Sequence, residues 1–186
     1  MLTLARFGLR SWRWIMVGVT ASDLHERPAG DLIKVWFKFV PREDWLPYDS
    51  EGLWATQLSE DTARVENVAF LQDGIAQGDV VRFQADHDGV RWATGRVQAS
   101  GHCVVRVLPM PSGPLGACAA AIHAAFARFG LGSEVFSAEL PFVAFDVPPD
   151  ADFGEIKRTL ADGESQGWWH FEVGCGTDRW RDSTGS

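Results

Sequence analysis

Near Gly101 the spacing of apolar residues changes period, and this change constrains the fold more than any single motif. Over residues 32–99, apolar and polar residues alternate in short runs between turn signals, as in a small antiparallel barrel or strongly curled sheet. Ile33, Val35, Phe37 and Phe39 alternate with Lys34, Trp36 and Lys38, so the second set faces water. Pro41 ends that run, and an acidic loop with Glu43, Asp44, Asp49 and Glu51 follows. Further strands are expected at 52–58, 62–70, 79–85 and 90–99, with turns at Gln77-Gly78-Asp79 and His87-Asp88-Gly89.

After Gly101 the reading is strand 102–108, helix 115–129, hairpin 134–147, helix 153–161 and strand 168–173. Ser112-Gly113-Pro114 offers a cap and a first-turn proline, and Gly130 a stop. Pro148-Pro149 closes a strand, and Asp150 or Asp152 caps the next helix. The order is βαββαβ, so the fold class is α+β, with an N-terminal barrel-like half before a ferredoxin-like half whose helices share one face. The chain divides into a leader (1–30), the β-rich half (31–100), the ferredoxin-like half (101–175) and a tail (176–186). Strand 102–108 is expected to pair with strand 90–99 and so weld the halves. Alternation puts Cys103, Val105, Val107, Val143, Phe145, Val147, Trp169, Phe171 and Val173 under the helices. His102, Val104, Arg106, Phe142, Ala144, Asp146, Trp168, His170 and Glu172 fall on the other face, which the barrel half should partly cover.

A net charge of −8 over 186 residues argues against duplex nucleic acid, which needs clustered cations, and suits a basic protein partner. Three widely spaced cysteines, Cys103, Cys118 and Cys175, read as reduced thiols in a cytoplasm. The apolar stretch 2–19 is interrupted by Arg6, Arg10 and Arg13 and is too short to span a bilayer. Membrane association is therefore expected only through an interfacial helix at residues 1–19, and Met16 is an alternative start. A monomer or a homodimer is expected.

The motifs Glu51-Gly52-Leu53-Trp54-Ala55, Glu66-Asn67-Val68-Ala69-Phe70, Gly78-Asp79-Val80-Val81, Ser100-Gly101-His102, Asp146-Val147-Pro148-Pro149 and Gly167-Trp168-Trp169-His170-Phe171-Glu172-Val173-Gly174-Cys175 occur in order. Together, from about Ile33 to Cys175, the chain resembles the bacterial domain of unknown function 4265 family, and the resemblance implies no activity. Gly130-Leu131 stands where the resemblance leads one to expect Gly-Cys, so a thiol there is not essential.

Candidate chemistry is sparse. His102 is a candidate metal ligand with His170, Glu172 or Cys175, but no close-spaced zinc pattern occurs, so neither metal nor cofactor is expected. No nucleophile motif is present, and Asp44, Asp49, Glu51, Asp86 and Asp88 read as solvated loop acids. Gly113-Pro114-Leu115-Gly116 lacks the lysine of a phosphate loop and reads as a turn. The βαββαβ order is shared with RNA-recognition modules, but residues 141–147 lack their basic and aromatic pattern. Among nine tryptophans, Trp36, Trp54, Trp92, Trp168 and Trp169 lie in strand-like runs, with Trp36 and Trp168 outward.

The leading expectation is a cytoplasmic, non-enzymatic binding protein that meets a protein or small ligand through Trp36, Arg106, Phe142, Trp168 and His170. Its sharper form is an immunity-type inhibitor of a basic protein. One alternative is a dimeric ligand-sensing module of the amino-acid-binding βαββαβ type, using the turn at 112–116. Another is an enzyme whose site is His102, His170 and Glu172.

Overall fold

Strict alternation in the first strand turns Ile33, Val35 and Phe37 inward, and the same parity in its neighbours builds a curled sheet around them. The computed structural model describes residues 30–41 and 46–184. Apart from Gly30, the leader, and with it the interfacial helix expected at residues 1–19, lies outside the described residues, as do Glu43 and Asp44.

The strands β1 (Leu32–Lys38), β2 (Ser50–Gln57), β3 (Thr62–Val65), β4 (Val80–Ala85) and β5 (Arg91–Gln98) pair consecutively and close into a barrel. Consecutive pairs are antiparallel, while β1 meets β5 in parallel. An up-and-down path of five strands forces that parallel seam, because the first and last strands point the same way. Leu53, Ala55, Ala63, Val65, Val81 and Phe83 complete the interior.

The second sheet has the order β7-β8-β6-β9, from β6 (Cys103–Pro109), β7 (Gly132–Val135), β8 (Val143–Val147) and β9 (Trp169–Cys175). All its pairs are antiparallel. Helices α1 (Ala119–Phe126) and α2 (Phe153–Ser165) pack Ile122, Phe126, Ile156 and Leu160 on Cys103, Val105, Val107, Val143, Phe145, Val147 and Trp169. Asp152 caps α2 by accepting the Glu155 N–H at 3.0 Å. Among the described residues no helix is long and apolar enough to cross a membrane.

Several expectations are corrected. β3 stops at Val65, not 70, because Val65 exchanges hydrogen bonds with Gly78 and Asp79 and closes a loop at its neck. α1 begins at Ala119, since residues 113–116 form a turn seated on Gly167. The tail carries a short helix, α3 (Asp178–Asp182), whose Trp180 is buried against Phe153 and whose Trp180 carbonyl accepts from the Lys157 ammonium. Val173, on the edge strand β9, stays exposed, and Trp168 joins the helix-side core with Trp169. β6 pairs only with β8 and β9, so no ladder welds the halves.

The weld is a core. Loop residues Ala69 and Ile75 enter the barrel, while Val68, Phe70 and Ala76 pack on Val104, Phe142, Ala144 and Cys175 of the sheet. One segment thus closes both units.

On the helix side, a Cβ built on Gly163 of α2 would lie 2.0 Å from the Trp169 ring, so only glycine permits this approach. Gly163→Ala is expected to destabilise by about 2 kcal/mol, overpacking outweighing the gain in helix propensity. Urea unfolding midpoints measure it.

Candidate functional site

Arg106 sits mid-strand on the sheet face opposite the helices and is 1% exposed. It donates to Ala69 O (3.2 Å), Gln72 O (2.5 Å), Asp73 Oδ1 (2.7 Å) and Glu172 Oε1 (2.9 Å). Its guanidinium lies over Gly174, where a Cβ would come within 2.5 Å. The loop is gripped from the barrel as well. Glu51 accepts the consecutive N–H groups of Phe70, Leu71 and Gln72 at 2.8, 2.9 and 2.8 Å. Asn67 Oδ1 accepts Trp54 N–H, and Glu134 of β7 accepts Val68 N–H. Asp79, 1% exposed, accepts from Ala76 N, Ser100 N and Arg96. Glu51 is therefore a structural acceptor and not the solvated acid its loop position indicated.

Beside Arg106 lies a cavity of about 90 Å³ lined by Phe39, Tyr48, Phe70, Gln72 and Asp73, room for a few waters and too small for a metabolite. A recess of about 400 Å³ at one end of the barrel is lined by Gln57, Glu60, Asp61, Phe83, Gln84, Ala85 and Arg91, with neither histidine nor cysteine.

The residues proposed for catalysis do not converge. His102 Nδ1 meets Asp146 at 2.8 and 2.9 Å. His170 faces Glu164 at 3.5 Å and is mostly exposed, and Glu172 is held by Arg106. Because Leu108 is the register partner of His170, His102 stands six residues away along β6, or about 20 Å at strand rise. Burial raises the Asp146 carboxyl above its ordinary range despite the His102 bond, and it raises the Cys175 thiol, with Asp79 adding to the effect. Of the residues proposed for recognition, Phe142 is 2% exposed in the core between the units. Arg106 and Trp168 are likewise structural in their contacts, which leaves His170 exposed and Trp36 half-buried on the barrel's outer side.

Trp36 belongs to a continuous outer surface of the barrel. Register sets Lys34 beside Trp54 and Trp36 between Gly52 and Trp92. The Lys34 ammonium lies 5.5 Å from the Trp36 ring and 5.1 Å from that of Trp54, and Lys38 lies 4.4 Å from Trp92. The Trp36 and Trp92 rings are 6.3 Å apart. Gly52 makes room for this layer, since a Cβ there would meet Lys34 Cε at 2.6 Å and the Trp36 ring at 3.0 Å. Trp92 Nε1 donates to Asp86 Oδ2 at 2.8 Å, the main reason the Asp86 carboxyl lies below its usual range. Asp86 Oδ1 accepts from Asp88 N and Val90 N, so the Asp86-His87-Asp88 group is the closure of a hairpin turn. Trp54 and Trp92 were not singled out as outward in the sequence. For Trp54 the signal was present, as it sits between inward Leu53 and Ala55.

A family model described as "Domain of unknown function (DUF4265)" matches residues 51–171. The chain belongs to that family. The DUF4265 match opens at Glu51 and includes the loop, Arg106 and Glu134, while β1 with Lys34, Trp36 and Lys38 precedes it. Among curated proteins none matches the sequence. A crystal structure of a hypothetical protein from Neisseria gonorrhoeae is similar in fold, with a TM-score of 0.64 at 14% identity over 78% of this chain and 95% of that one.

Glu51→Gln keeps the shape but turns one acceptor into a donor facing backbone N–H groups. It is expected to cost about 2–3 kcal/mol in chemical unfolding. For Asp146 the folded protein holds the proton more tightly than the unfolded chain. Stability therefore falls as pH rises from the ordinary 3.8 through the raised folded value, and is level above it. Asp146→Asn lacks this dependence, so wild type should gain on the variant as pH is lowered through that window, read from urea midpoints.

Proposed function

We propose that this protein is a non-enzymatic binding protein of the cytoplasm and that it recognises an anionic partner through the outer barrel surface formed by β5, β1 and β2. The observation that carries this reading is the layer of Trp36, Trp54 and Trp92 interleaved with Lys34 and Lys38. Two of the three lysines in an acidic chain lie there, beside the Asp86 carboxylate that holds Trp92. Amphipathic aromatics on a rigid outward surface are the side chains that anchor interfaces at low entropic cost.

The rest of the molecule supports a scaffold role. The acids and histidines that chemistry would use are engaged with backbone N–H groups, Arg106 or one another. The second half is read as ferredoxin-like on the strength of its βαββαβ order, its β7-β8-β6-β9 sheet and its one-sided helices. The ligand-sensing alternative has less support, because Gly113 in its proposed turn is packed on the Gly167 carbonyl.

The test is thermal stabilisation by extended polyanions at low salt, with polyphosphate, poly-L-glutamate and oligothymidylate as probes. At least one should raise Tm for the wild type, and raise it less for the Lys34→Ala/Lys38→Ala variant. No shift with any of the three would remove the reading.

A further inference from the structure

Resting on the reading above, we propose that the occupant of the Trp36/Trp54/Trp92 surface is single-stranded nucleic acid, its bases stacked on the indoles and its phosphates met by Lys34 and Lys38. The argument is one of matched chemistry. The surface presents more flat rings than cations, with three indoles and two ammonium groups in mutual contact across adjacent strands. An acidic peptide offers charge without flat rings and would leave the indoles unused. A nucleotide chain offers both in alternation, and every base has a face that an indole accepts.

No ion pair among the described residues involves Lys34 or Lys38. Their four-carbon stems let the ammonium move off a ring as a base takes its place. Asp86 holds Trp92 by its Nε1 edge, which orients the indole. Gly52 supplies the clearance that lets Trp36 lie across β2. Duplex is disfavoured twice, since its bases are not available for stacking and a chain of charge −8 repels a dense phosphate array. Residues 1–29 carry the wrong charge, with Arg6, Arg10, Arg13 and Arg27 against Asp23 and Glu26, and a second copy meeting this surface with its own would set lysine against lysine.

The site makes a quantitative statement about salt. With two lysines meeting phosphates, the logarithm of affinity should fall against the logarithm of salt with a slope of about −1.4. Such a shallow slope marks binding carried by stacking.

The experiment is a titration of the full chain with labelled oligothymidylate and oligouridylate of about a dozen nucleotides. Tryptophan quenching and anisotropy are followed between about 50 and 200 mM salt. A duplex of the same length and an oligoglutamate peptide are run in parallel. Single strands should bind with quenching and the shallow slope, and both other probes should fail to compete. Trp54→Ala should weaken binding about ten-fold with an unchanged melt. Lys34→Ala/Lys38→Ala should flatten the salt slope, and Gly52→Ala, which keeps every ring but displaces Trp36 and Lys34, should also weaken binding. Equal or tighter binding of oligoglutamate overturns the nucleic-acid assignment while leaving an anionic partner in place, and equal binding of duplex overturns it too. Absence of binding by any of these probes, with polyphosphate also inert, overturns both.

Discussion

One carboxylate accepting three successive backbone N–H groups is the interaction on which the architecture turns. Glu51 projects from β2 and holds Phe70, Leu71 and Gln72. Those residues belong to a loop that leaves β3 at Val65 and returns at Asp79. Without an internal acceptor, three amides in a loop pressed between two cores would be desolvated and unpaired, at a cost of about 1–3 kcal/mol each. With it, the loop can feed alternate residues to opposite sides, Ala69 and Ile75 to the barrel and Val68, Phe70 and Ala76 to the sheet. Arg106 grips the same loop from the sheet, and Asp79 ties its end to Ser100 at the crossing into the second half. A polar frame thus permits an apolar joint.

That frame engages many of the buried ionisable groups. Asp79 and Arg106 are almost wholly buried, and each is surrounded by partners. Burial lifts the Glu134 and Asp146 carboxyls, as it must for a charge removed from water without full compensation. Such groups are costly to keep, and a single missing partner is costlier still, so they define one arrangement of the two halves.

The outer barrel surface has the opposite character. Closure of β1 onto β5 at Val35–Arg91 and Trp36–Trp92 shortens the free edge beside the aromatic residues. The indoles are held by neighbours rather than by burial, with Lys34 and Lys38 over their rings and Asp86 on the Trp92 edge.

Local periodicity determined much of this molecule. Alternation of Ile33, Val35 and Phe37 with Lys34, Trp36 and Lys38 makes β1 a strand with one wet side in any fold. The capped run at 153, the Pro148-Pro149 stop and Gly130, at φ 62, set elements within a few residues. Where the local signal was ambiguous, tertiary structure decided. The apolar run to Phe70 reads as a longer strand, yet the ladder ends at Val65 because β4 returns there, and no residue in the run announces that return. Glu51 reads as a solvated acid, since the amides it serves lie nineteen to twenty-one positions further on. His102, His170 and Glu172 share a face by parity but are dispersed by register, which is a relation between strands. The same relation brings Trp36 beside Trp92 and opposite Gly52. Side-chain direction follows from a residue's own neighbours in the chain and is legible there. Adjacency across strands follows from closing the barrel and sharing a loop between two cores, and it exists only in the folded protein.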